Sequence, residues 1–242
     1  MKDNITTLLS TRPLDETLVN EALTKHVVIE SISFIKTGNI IDRNISEEIN
    51  ELASKTITAI FTSMNAAEAV IESLQKSNAL QPQWNIYCIG GATESLIRSY
   101  FNLAAIAGNG RNAIELAEAV ISNNVKEVVF FCGNQRRDEL PEYLRKRNIL
   151  LKEIVVYETN EIPVKIDKEY NGILFFSPSA VKSFFSVNSI PSDTVLFSIG
   201  NTTAEAIRNN SDNKIIISDF PSKEKLVDIA ISYFDKTNKP ND

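Results

Sequence analysis

The sequence of 242 residues contains few of the residues that build metal centres and disulfides. It has one histidine and two cysteines, Cys88 and Cys132, and no metal-ligand spacing among them. Both cysteines lie in apolar, strand-like runs, which is typical of buried, reduced thiols. We therefore expect no metal site, and we expect a protein of a reducing compartment.

Positive charge and long apolar runs are also scarce. Lysine and arginine number 25 against 31 acidic residues, and the formal net charge of −6 argues against general nucleic-acid binding. No apolar run reaches membrane length, no signal peptide is recognisable, and no P-loop lysine motif is present. These absences favour a cytoplasmic protein with a small-molecule partner, without nucleic acid or membrane.

Short strand-like runs alternate with helix-like segments through the whole chain, which predicts an α/β protein with mainly parallel sheets. The predicted strands are 5–13, 27–38, 57–62, 85–90, 103–108, 127–133, 150–159, 172–176, 194–199 and 214–219. The predicted helices are 15–26, 45–55 (capped by Ser46), 64–76, 92–100, 112–122, 136–148, 179–186, 202–209 and 222–234. So many strands exceed one sheet for a chain of this length, and we expect two.

One strand–turn–helix pattern is written twice. The run IFTSMNAAEAV (60–70) is followed by YCIGGATESLI (87–97), and FFSPSAVKSFF (175–185) is followed by LFSIGNTTAEAI (196–207). In this alignment the matched pairs are Ser63 with Ser177, Asn65 with Ser179, Gly90 with Gly200, and Thr93 with Thr203. Two matches in the same order indicate two related α/β lobes.

Each copy places a helix start just after the carboxyl end of a buried strand. The free backbone N–H groups of a helix start favour anions, and ligands of open α/β sheets bind at this edge. A single turn of this kind is explained by helix capping alone. Four such turns, two in each copy, favour a shared cleft for an anionic ligand.

Several stretches together resemble the uroporphyrinogen-III synthase family. The most specific are the run CGN-x-R-x-x-L-P-x-x-L that ends in VYET (within 130–159), and the pair FSPSAV and IG-x-TTA. FTSMNAAEAV (61–70) and IGGAT (89–93) extend the similarity through nearly the whole chain. Met64 and Asn65 depart from the family, which often has Pro or Ala and then Asn, Arg or Ser, but the turn is preserved.

The resemblance implies two α/β/α lobes joined by a two-stranded antiparallel connector. The implied lobes are discontinuous: lobe one is 1–33 plus 166–242, and lobe two is 38–159. The crossings are 34–37 and 160–165, which fits the long predicted strand 27–38 and a second long strand over 150–165.

The resemblance also implies an activity. Family members dehydrate and cyclise hydroxymethylbilane, a linear tetrapyrrole, and invert its terminal ring through a spiro intermediate to give uroporphyrinogen III. Such an enzyme is a monomeric cyclising lyase of haem biosynthesis without a cofactor. Tyr157, in VYET, resembles the family's tyrosine and is our candidate general acid, since a phenol is protonated at neutral pH. The alternative for Tyr157 is an interface tyrosine that packs and makes one hydrogen bond.

The turns and the resemblance together predict a set of substrate contacts. Asn134 is expected to open a further helix at the same edge, with Arg136 and Arg137 in its first turn. Arg12, at the end of the first strand, is expected to pair with a propionate. Capping, or a surface position, remains the alternative for every member. The predicted contacts are Arg12, Thr62, Ser63, Asn65, Thr93, Asn134, Ser177, Ser179, Thr202 and Thr203.

Two other functions remain open from the residues alone. GNGRNA (108–113) fits G-x-G-x-x-A between a strand and a helix, which would indicate a dinucleotide-binding enzyme. It lies in the middle of the chain, however, and no acidic residue is convincingly placed about twenty positions later. The second alternative is a non-catalytic, two-lobed protein that closes on a small anion.

Overall fold

The computed structural model describes residues 5–78, 81–101 and 105–238. The chain divides into two compact units. Met1–Lys36 and Asn160–Asp242 form the first unit, and Thr37–Thr159 form the second. Over the described ranges, no helix is long and apolar enough to cross a membrane.

Strands and helices alternate in the described residues, with two exceptions. The strands are β1 (Thr6–Ser10), β2 (Val27–Ser31), β3 (Ile35–Asn39), β4 (Thr58–Phe61), β5 (Asn85–Ile89), β6 (Ile106–Gly110), β7 (Glu127–Gly133), β8 (Leu150–Glu161), β9 (Gly172–Phe175), β10 (Val195–Ser198) and β11 (Ile215–Ile217). The helices are α1 (Glu16–Thr24), α2 (Arg43–Ala53), α3 (Met64–Lys76), α4 (Ala92–Tyr100), α5 (Ala113–Ser122), α6 (Glu139–Lys146), α7 (Pro178–Phe185), α8 (Asn201–Arg208) and α9 (Lys223–Asn238). The exceptions are β3, which follows β2 directly, and β9, which follows β8 directly. The predicted bounds of α3, α4 and β7 are confirmed residue for residue.

The sheet of the first unit has the strand order β11-β10-β9-β1-β2, and its neighbouring strands are parallel. If these strands are numbered 1 to 5 along the chain, their order across the sheet, read from β2 to β11, is 2-1-3-4-5, which is a doubly wound arrangement. The direction of winding reverses between β1 and β9. Ligands of such sheets bind at the carboxyl ends of the strands beside this reversal.

The sheet of the second unit has the order β3-β8-β7-β4-β5-β6. The strands β4 to β8 are parallel. If they are numbered 1 to 5 along the chain, their order across the sheet, read from β6 to β8, is 3-2-1-4-5. Their winding reverses between β4 and β7, which makes the carboxyl ends of these two strands the expected ligand edge of this unit.

Strand residues point alternately to two apolar layers, so both faces of each sheet are covered. In β1, Leu8 packs with α9 on one face, and Leu9 packs with Phe184 of α7 on the other. In β4, Ile60 and Phe61 likewise belong to separate core clusters. Burial on both faces explains why these strands are continuous apolar runs.

The single predicted strand 27–38 is wrong, because the chain forms β2 and β3 with a break between them. Phe34, in the break, is fully buried and lies edge-on to Phe184, with the ring centroids 5.1 Å apart. Reaching this position takes the backbone out of regular strand alternation. Ile40 N donates to Val156 O in the second unit, and Ile162 N donates to Phe34 O in the first. The two-stranded antiparallel connector stays a prediction.

Three further element predictions need correction or restriction. The helix predicted over 45–55 starts at Arg43, because the carboxylate of Asp42, not Ser46, caps it by accepting from Ile45 N at 2.9 Å. The helix predicted over 136–148 starts at Glu139, and the residues before it are held against β8 by their side chains. Of the strand predicted over 103–108, residues 103 and 104 lie outside the described residues, and β6 covers 106–110.

Candidate active site

The ligand edge of the second unit begins with the turn between β4 and α3. Thr62 and Ser63 follow β4 directly and are half-buried. Ser63 is the N-cap of α3, but its side chain makes no capping hydrogen bond. Among the described residues, neither hydroxyl has a hydrogen-bond partner, so both are available to a ligand beside the helix start.

Tyr157 of β8 lines a cavity of about 140 Å³ in the same unit. Asn65, in the first turn of α3, lines it as well, so the structure brings these two predicted residues together. The hydroxyl of Tyr157 makes no hydrogen bond to any residue that the structure describes, and the ring is half-buried. The full lining is Thr37, Gly38, Asn39, Asn65, Glu68, Ala69, Glu72 and Tyr157.

Asn134 lies in an exposed turn after β7 and does not open a helix as predicted. Its backbone N–H donates to Tyr157 O at 3.1 Å, and its side-chain oxygen accepts from Thr159 N at 2.9 Å. These bonds to β8 keep the turn out of α6, whose N-cap is Asp138. The side chain of Asn134 is thus engaged with β8 at the ligand edge.

Arg136 and Arg137 also lie outside a helix, which corrects the expectation for this segment. The guanidinium of Arg136 contacts the carboxylate of Glu153, and it lies 2.5 Å from Asp138. Arg145 approaches Glu153 to 2.5 Å as well. Arg136 therefore belongs to an ion-pair network between the turn and β8. The sequence offered no local signal for it, because Arg136 and Glu153 are far apart in the chain.

The ligand edge of the first unit contains three serine turns of one kind, which were not predicted from the sequence. Ser10, Ser198 and Ser218 each lie at or just after the end of a strand, and each hydroxyl donates to the carbonyl oxygen two residues later. The distances are 2.6 Å to Arg12 O, 2.7 Å to Gly200 O and 2.6 Å to Phe220 O. The signal is present in the sequence as LLSTRP, LFSIGN and IISDFP. These hydroxyls shape the backbone of the edge.

Ser177 is the N-cap of α7, with Pro178 at the first helical position. Its hydroxyl accepts from Ala180 N at 3.2 Å. Ser179 follows in the first turn and is half-buried. Ser177 thus has the capping bond that Ser63 lacks, although the two residues are equivalent in the repeat.

The predicted threonines lie in the first turns of α4 and α8, whose N-caps are Gly91 and Gly200. Thr93 and Thr203 are buried, with 6% and 3% of their surface exposed, while Thr202 is exposed. At Thr93 and Thr203 the backbone N–H groups therefore suit a ligand better than the hydroxyls do. Gly91 has φ +80°, a left-handed conformation that favours glycine.

Arg12 follows β1 at the winding reversal of the first unit and is exposed. Its guanidinium carbon lies 5.6 Å from the ring centroid of Phe176, which follows β9. A cation held over an aromatic ring at the strand ends is placed to meet an anionic ligand. Lys223 and, to a smaller extent, Arg12 lower the pKa of the nearby Asp15 carboxyl.

The glycines of GNGRNA have packing roles. A Cβ at Gly110 would lie 2.5 Å from Leu116 N, and a Cβ at Gly108 would lie 2.8 Å from Cε1 of Tyr87. Their strand, β6, is the outer strand of its sheet, away from the winding reversal. Close packing accounts for the motif, and the position does not suit a dinucleotide.

The two cysteines are buried, as predicted, and are free thiols. Burial, with a smaller contribution from nearby acidic side chains, raises the pKa of each to about 11, so both stay protonated. Within the part of the chain that the structure describes, His, Cys, Asp and Glu form no group of three or more that could hold a metal ion.

The chain thus has two doubly wound α/β units with polar groups at the strand ends, an arrangement typical of proteins that bind ligands at this edge. The family model described as uroporphyrinogen-III synthase HemD matches residues 24–228. The chain therefore belongs to the uroporphyrinogen-III synthase family, and the family predicted from its motifs is confirmed.

Individual relatives agree with this assignment. Uroporphyrinogen-III synthase of Saccharomyces cerevisiae is 25% identical, and the match covers 84% of this chain and 86% of that protein. A mutant uroporphyrinogen III synthase of Thermus thermophilus has a TM-score of 0.67 at 11% identity, covering 97% of this chain and 100% of that one. Uroporphyrinogen-III synthetase of Helicobacter pylori 26695 has a TM-score of 0.65 at 18% identity, covering 94% and 99%. The structural likenesses confirm the predicted α/β fold with mainly parallel sheets.

Proposed function

We propose that this chain dehydrates and cyclises hydroxymethylbilane, with inversion of the terminal pyrrole ring, to give uroporphyrinogen III. The family match over residues 24–228 is the observation that carries this function. The substrate bears acetate and propionate groups and is therefore multiply anionic. Its electron-rich pyrrole can expel the hydroxyl group to give an electrophilic azafulvene without help from a cofactor.

Each unit supplies a part of the binding surface at its strand ends. In the first unit, Arg12 and the N-termini of α7 and α8 attract carboxylates, and in the second the N-termini of α3 and α4 do so. The two units correspond, in this proposal, to the two lobes of the family. The proposed substrate contacts are Arg12, Thr62, Ser63, Asn65, Thr93, Asn134, Ser177, Ser179, Thr202 and Thr203.

Tyr157 is the proposed general acid. Its phenol donates a proton to the departing hydroxyl, the carbon–oxygen bond breaks, and water leaves. The terminal ring then attacks the azafulvene methylene through its substituted α-carbon, which forms the spiro intermediate. The bond from this carbon to the methylene of the neighbouring ring breaks and leaves a second azafulvene there, and the inverted ring attacks that methylene through its other α-carbon to close the macrocycle. The phenolate regains its proton when the closing ring loses one, so the catalyst is restored.

The carboxylates around Tyr157 favour one orientation of the substrate. Glu68 and Glu72 line the same cavity as the phenol. Their negative charge disfavours acetate and propionate groups there and favours the pyrrole that becomes electron-poor as the hydroxyl departs. The hydroxymethyl end of the substrate is thus the part that suits this cavity.

Positioning decides the product, because hydroxymethylbilane also cyclises spontaneously without inversion. The protein must hold the chain folded so that the spiro route is faster than simple closure. Backbone amides that are already fixed around the substrate's acetate and propionate groups provide such positioning, because they need little reorganisation during the reaction.

The test is an assay with freshly made hydroxymethylbilane that separates the type III from the type I macrocycle. We expect type III to predominate. If only type I forms, the proposed activity is wrong. Binding of the tetrapyrrole without control of the isomer would instead support the two-lobed binding protein, and a thermal shift with a dinucleotide would support the other alternative.

We further propose that the chain works as a monomer in the cytoplasm, without nucleic acid. The net charge of −6 supports the last point. Light scattering on the purified chain tests the monomer, and a dimer mass at assay concentration would contradict it.

A further inference from the structure

An irregularity in the β7–β8 pair determines where Tyr157 points. The register is regular up to Cys132 opposite Val155, and then Gly133 lies opposite Tyr157, so Val156 is an additional residue on β8. Such a bulge re-aims the side chains that follow it. Val156 and Tyr157, although consecutive, both pack on the core cluster of α3.

Gly133 lies directly against the ring of Tyr157. A Cβ built on Gly133 would lie 2.8 Å from both Cε1 and Cε2 of Tyr157, and closer still to Cζ. Cζ carries the hydroxyl group, so any side chain at this position would displace the proposed acid itself. Gly133 does not adopt the left-handed region of φ, which among the described glycines Gly91 occupies. The ring, and not the backbone conformation, requires glycine here.

The turn after Gly133 holds β8 on the far side of the bulge. Asn134 N bonds to Tyr157 O, Thr159 N bonds to the Asn134 side chain, and Gln135 Nε2 donates to Thr159 O at 2.9 Å. These bonds fix the backbone of Tyr157 and of the residue two positions later. Backbone and ring are therefore both located by the segment 133–135.

We propose that Gly133 is a positioning residue that sets the place of the Tyr157 hydroxyl in its cavity. This role rests on the proposed function, in which Tyr157 is the general acid. It gives the glycine of the CGN motif a role in the chemistry, because the glycine leaves the space in which the phenol lies. Gly133 itself touches no substrate in this proposal.

The test is a double-mutant cycle of Gly133→Ala and Tyr157→Phe, measured as turnover of hydroxymethylbilane to the type III macrocycle. Gly133→Ala alone should lower kcat about 10-fold or more, because small misplacements of catalytic groups have such effects. In the Tyr157→Phe background the same change should leave kcat unaltered. Phenylalanine keeps the ring and its clash but has no hydroxyl to misplace, so only a role through the hydroxyl gives this coupling.

Gly108→Ala is the matched control. Gly108 also lies in a strand of the second unit, and its added Cβ would also meet a tyrosine ring, that of Tyr87, at 2.8 and 2.9 Å. Loss of stability from a glycine-to-alanine change under a ring should be similar in the two variants. Loss of kcat at equal stability should be confined to Gly133→Ala.

Equal loss of kcat from Gly133→Ala in both backgrounds, or equal loss from Gly108→Ala, would overturn the positioning role. Full turnover of Gly133→Ala, with low turnover of Tyr157→Phe, would overturn it while leaving Tyr157 as the acid. Full turnover of Tyr157→Phe would overturn the acid and the positioning role together, and absence of type III product from the wild type would overturn the activity.

A second variant covers the case in which Gly133→Ala does not fold. Gln135→Ala removes the bond to Thr159 O and changes no buried packing, since Gln135 is exposed. We expect a loss of kcat that is smaller but still vanishes in the Tyr157→Phe background. A loss that persists there would overturn the role of the turn.

Discussion

Ser63 of the second unit and Ser177 of the first occupy equivalent positions, each as the N-cap of a helix that follows a buried strand. Ser177 accepts a hydrogen bond from Ala180 N, whereas the side chain of Ser63 makes no capping bond. Thr11 of the first unit likewise donates to Leu174 O at 2.8 Å, while Thr62 has no bond partner among the described residues.

The comparison separates two roles. In the first unit, the strand-end hydroxyls stabilise the protein's own turns, which leaves backbone N–H groups and Arg12 for a ligand. In the second unit, the hydroxyls of Thr62, Ser63 and Tyr157 have no hydrogen-bond partner in the part of the chain that the structure describes. A rigid frame suits the binding of charge, and open hydroxyls suit contacts that form during the reaction. We therefore expect catalytic defects from the second unit and stability defects from the first.

The largest effect is expected from Tyr157→Phe. Removal of a general acid should lower kcat about 100-fold while the fold is kept. Steady-state turnover with separation of the isomers measures this. Tyr143→Phe is the control, because it also removes a phenolic hydroxyl, but that hydroxyl donates to Glu118 at 2.5 Å and Tyr143 lies on α6. Wild-type turnover in Tyr157→Phe would show that Tyr157 is not the general acid.

The matched pair Ser63→Ala and Ser177→Ala tests the comparison directly. A hydrogen bond to a charged group contributes about 1.5–3 kcal/mol, so Ser63→Ala should raise KM about tenfold without a change in unfolding free energy. Ser177→Ala loses a capping bond and should lower the unfolding free energy by about 1 kcal/mol, with a smaller change in KM. Kinetics and urea unfolding of both variants give the result. The reverse pattern would show that the two units have exchanged roles.

Two buried helix serines show the opposite difference: the hydroxyl without a partner among the described residues lies in the first unit, and the bonded one lies in the second. Ser183 on α7 is fully buried, and its hydroxyl has no partner among the described residues, whereas Ser73 on α3 donates to Ser46 at 3.3 Å. Ser183→Ala should raise the unfolding free energy by about 1 kcal/mol, because an unsatisfied buried hydroxyl is removed. Ser73→Ala is the control and should not stabilise. Destabilisation by Ser183→Ala would indicate a bond partner for its hydroxyl.

The smallest effect concerns pH and the first unit. Hydrogen bonds from Lys168 Nζ (2.7 Å) and Tyr170 OH (2.8 Å) hold the pKa of the Glu30 carboxyl below its ordinary value of 4.5. A lowered pKa in the folded state contributes stability at neutral pH, and this contribution is lost as the pH falls below the ordinary value. The advantage of the wild type over Glu30→Gln should therefore shrink on acidification, but only slightly, since the side chain is 39% exposed.

Thermal midpoints measured from neutral pH down to about pH 3 test this dependence. Glu205→Gln, on the exposed side of α8, serves as the control. If the difference in thermal midpoint between wild type and Glu30→Gln stays constant over the whole range, the two bonds do not lower the pKa of the Glu30 carboxyl.

Much of the architecture follows from local sequence. The bounds of α3, α4 and β7 were predictable because hydrophobic periodicity, helix starts and turn residues all act within a few positions. The repeated turns and the family motifs could be recognised in the sequence for the same reason. Two errors lie where a distant partner overrides local preference: burial of Phe34 divides 27–38 into two strands, and bonds to β8 keep Asn134 and Arg136 out of a helix. The error at the start of α2 is local, because Asp42 rather than Ser46 caps this helix.

By itself, the sequence determined that the chain alternates strands and helices, belongs to its family and carries hydroxyl groups at the strand ends. Only the tertiary structure decided which of these hydroxyls are already bonded, and where Tyr157 points. The additional residue Val156, the space left by Gly133 and the bond from Thr159 N to the side chain of Asn134 join segments more than twenty positions apart. The register between two strands sets such contacts, and no local pattern encodes that register.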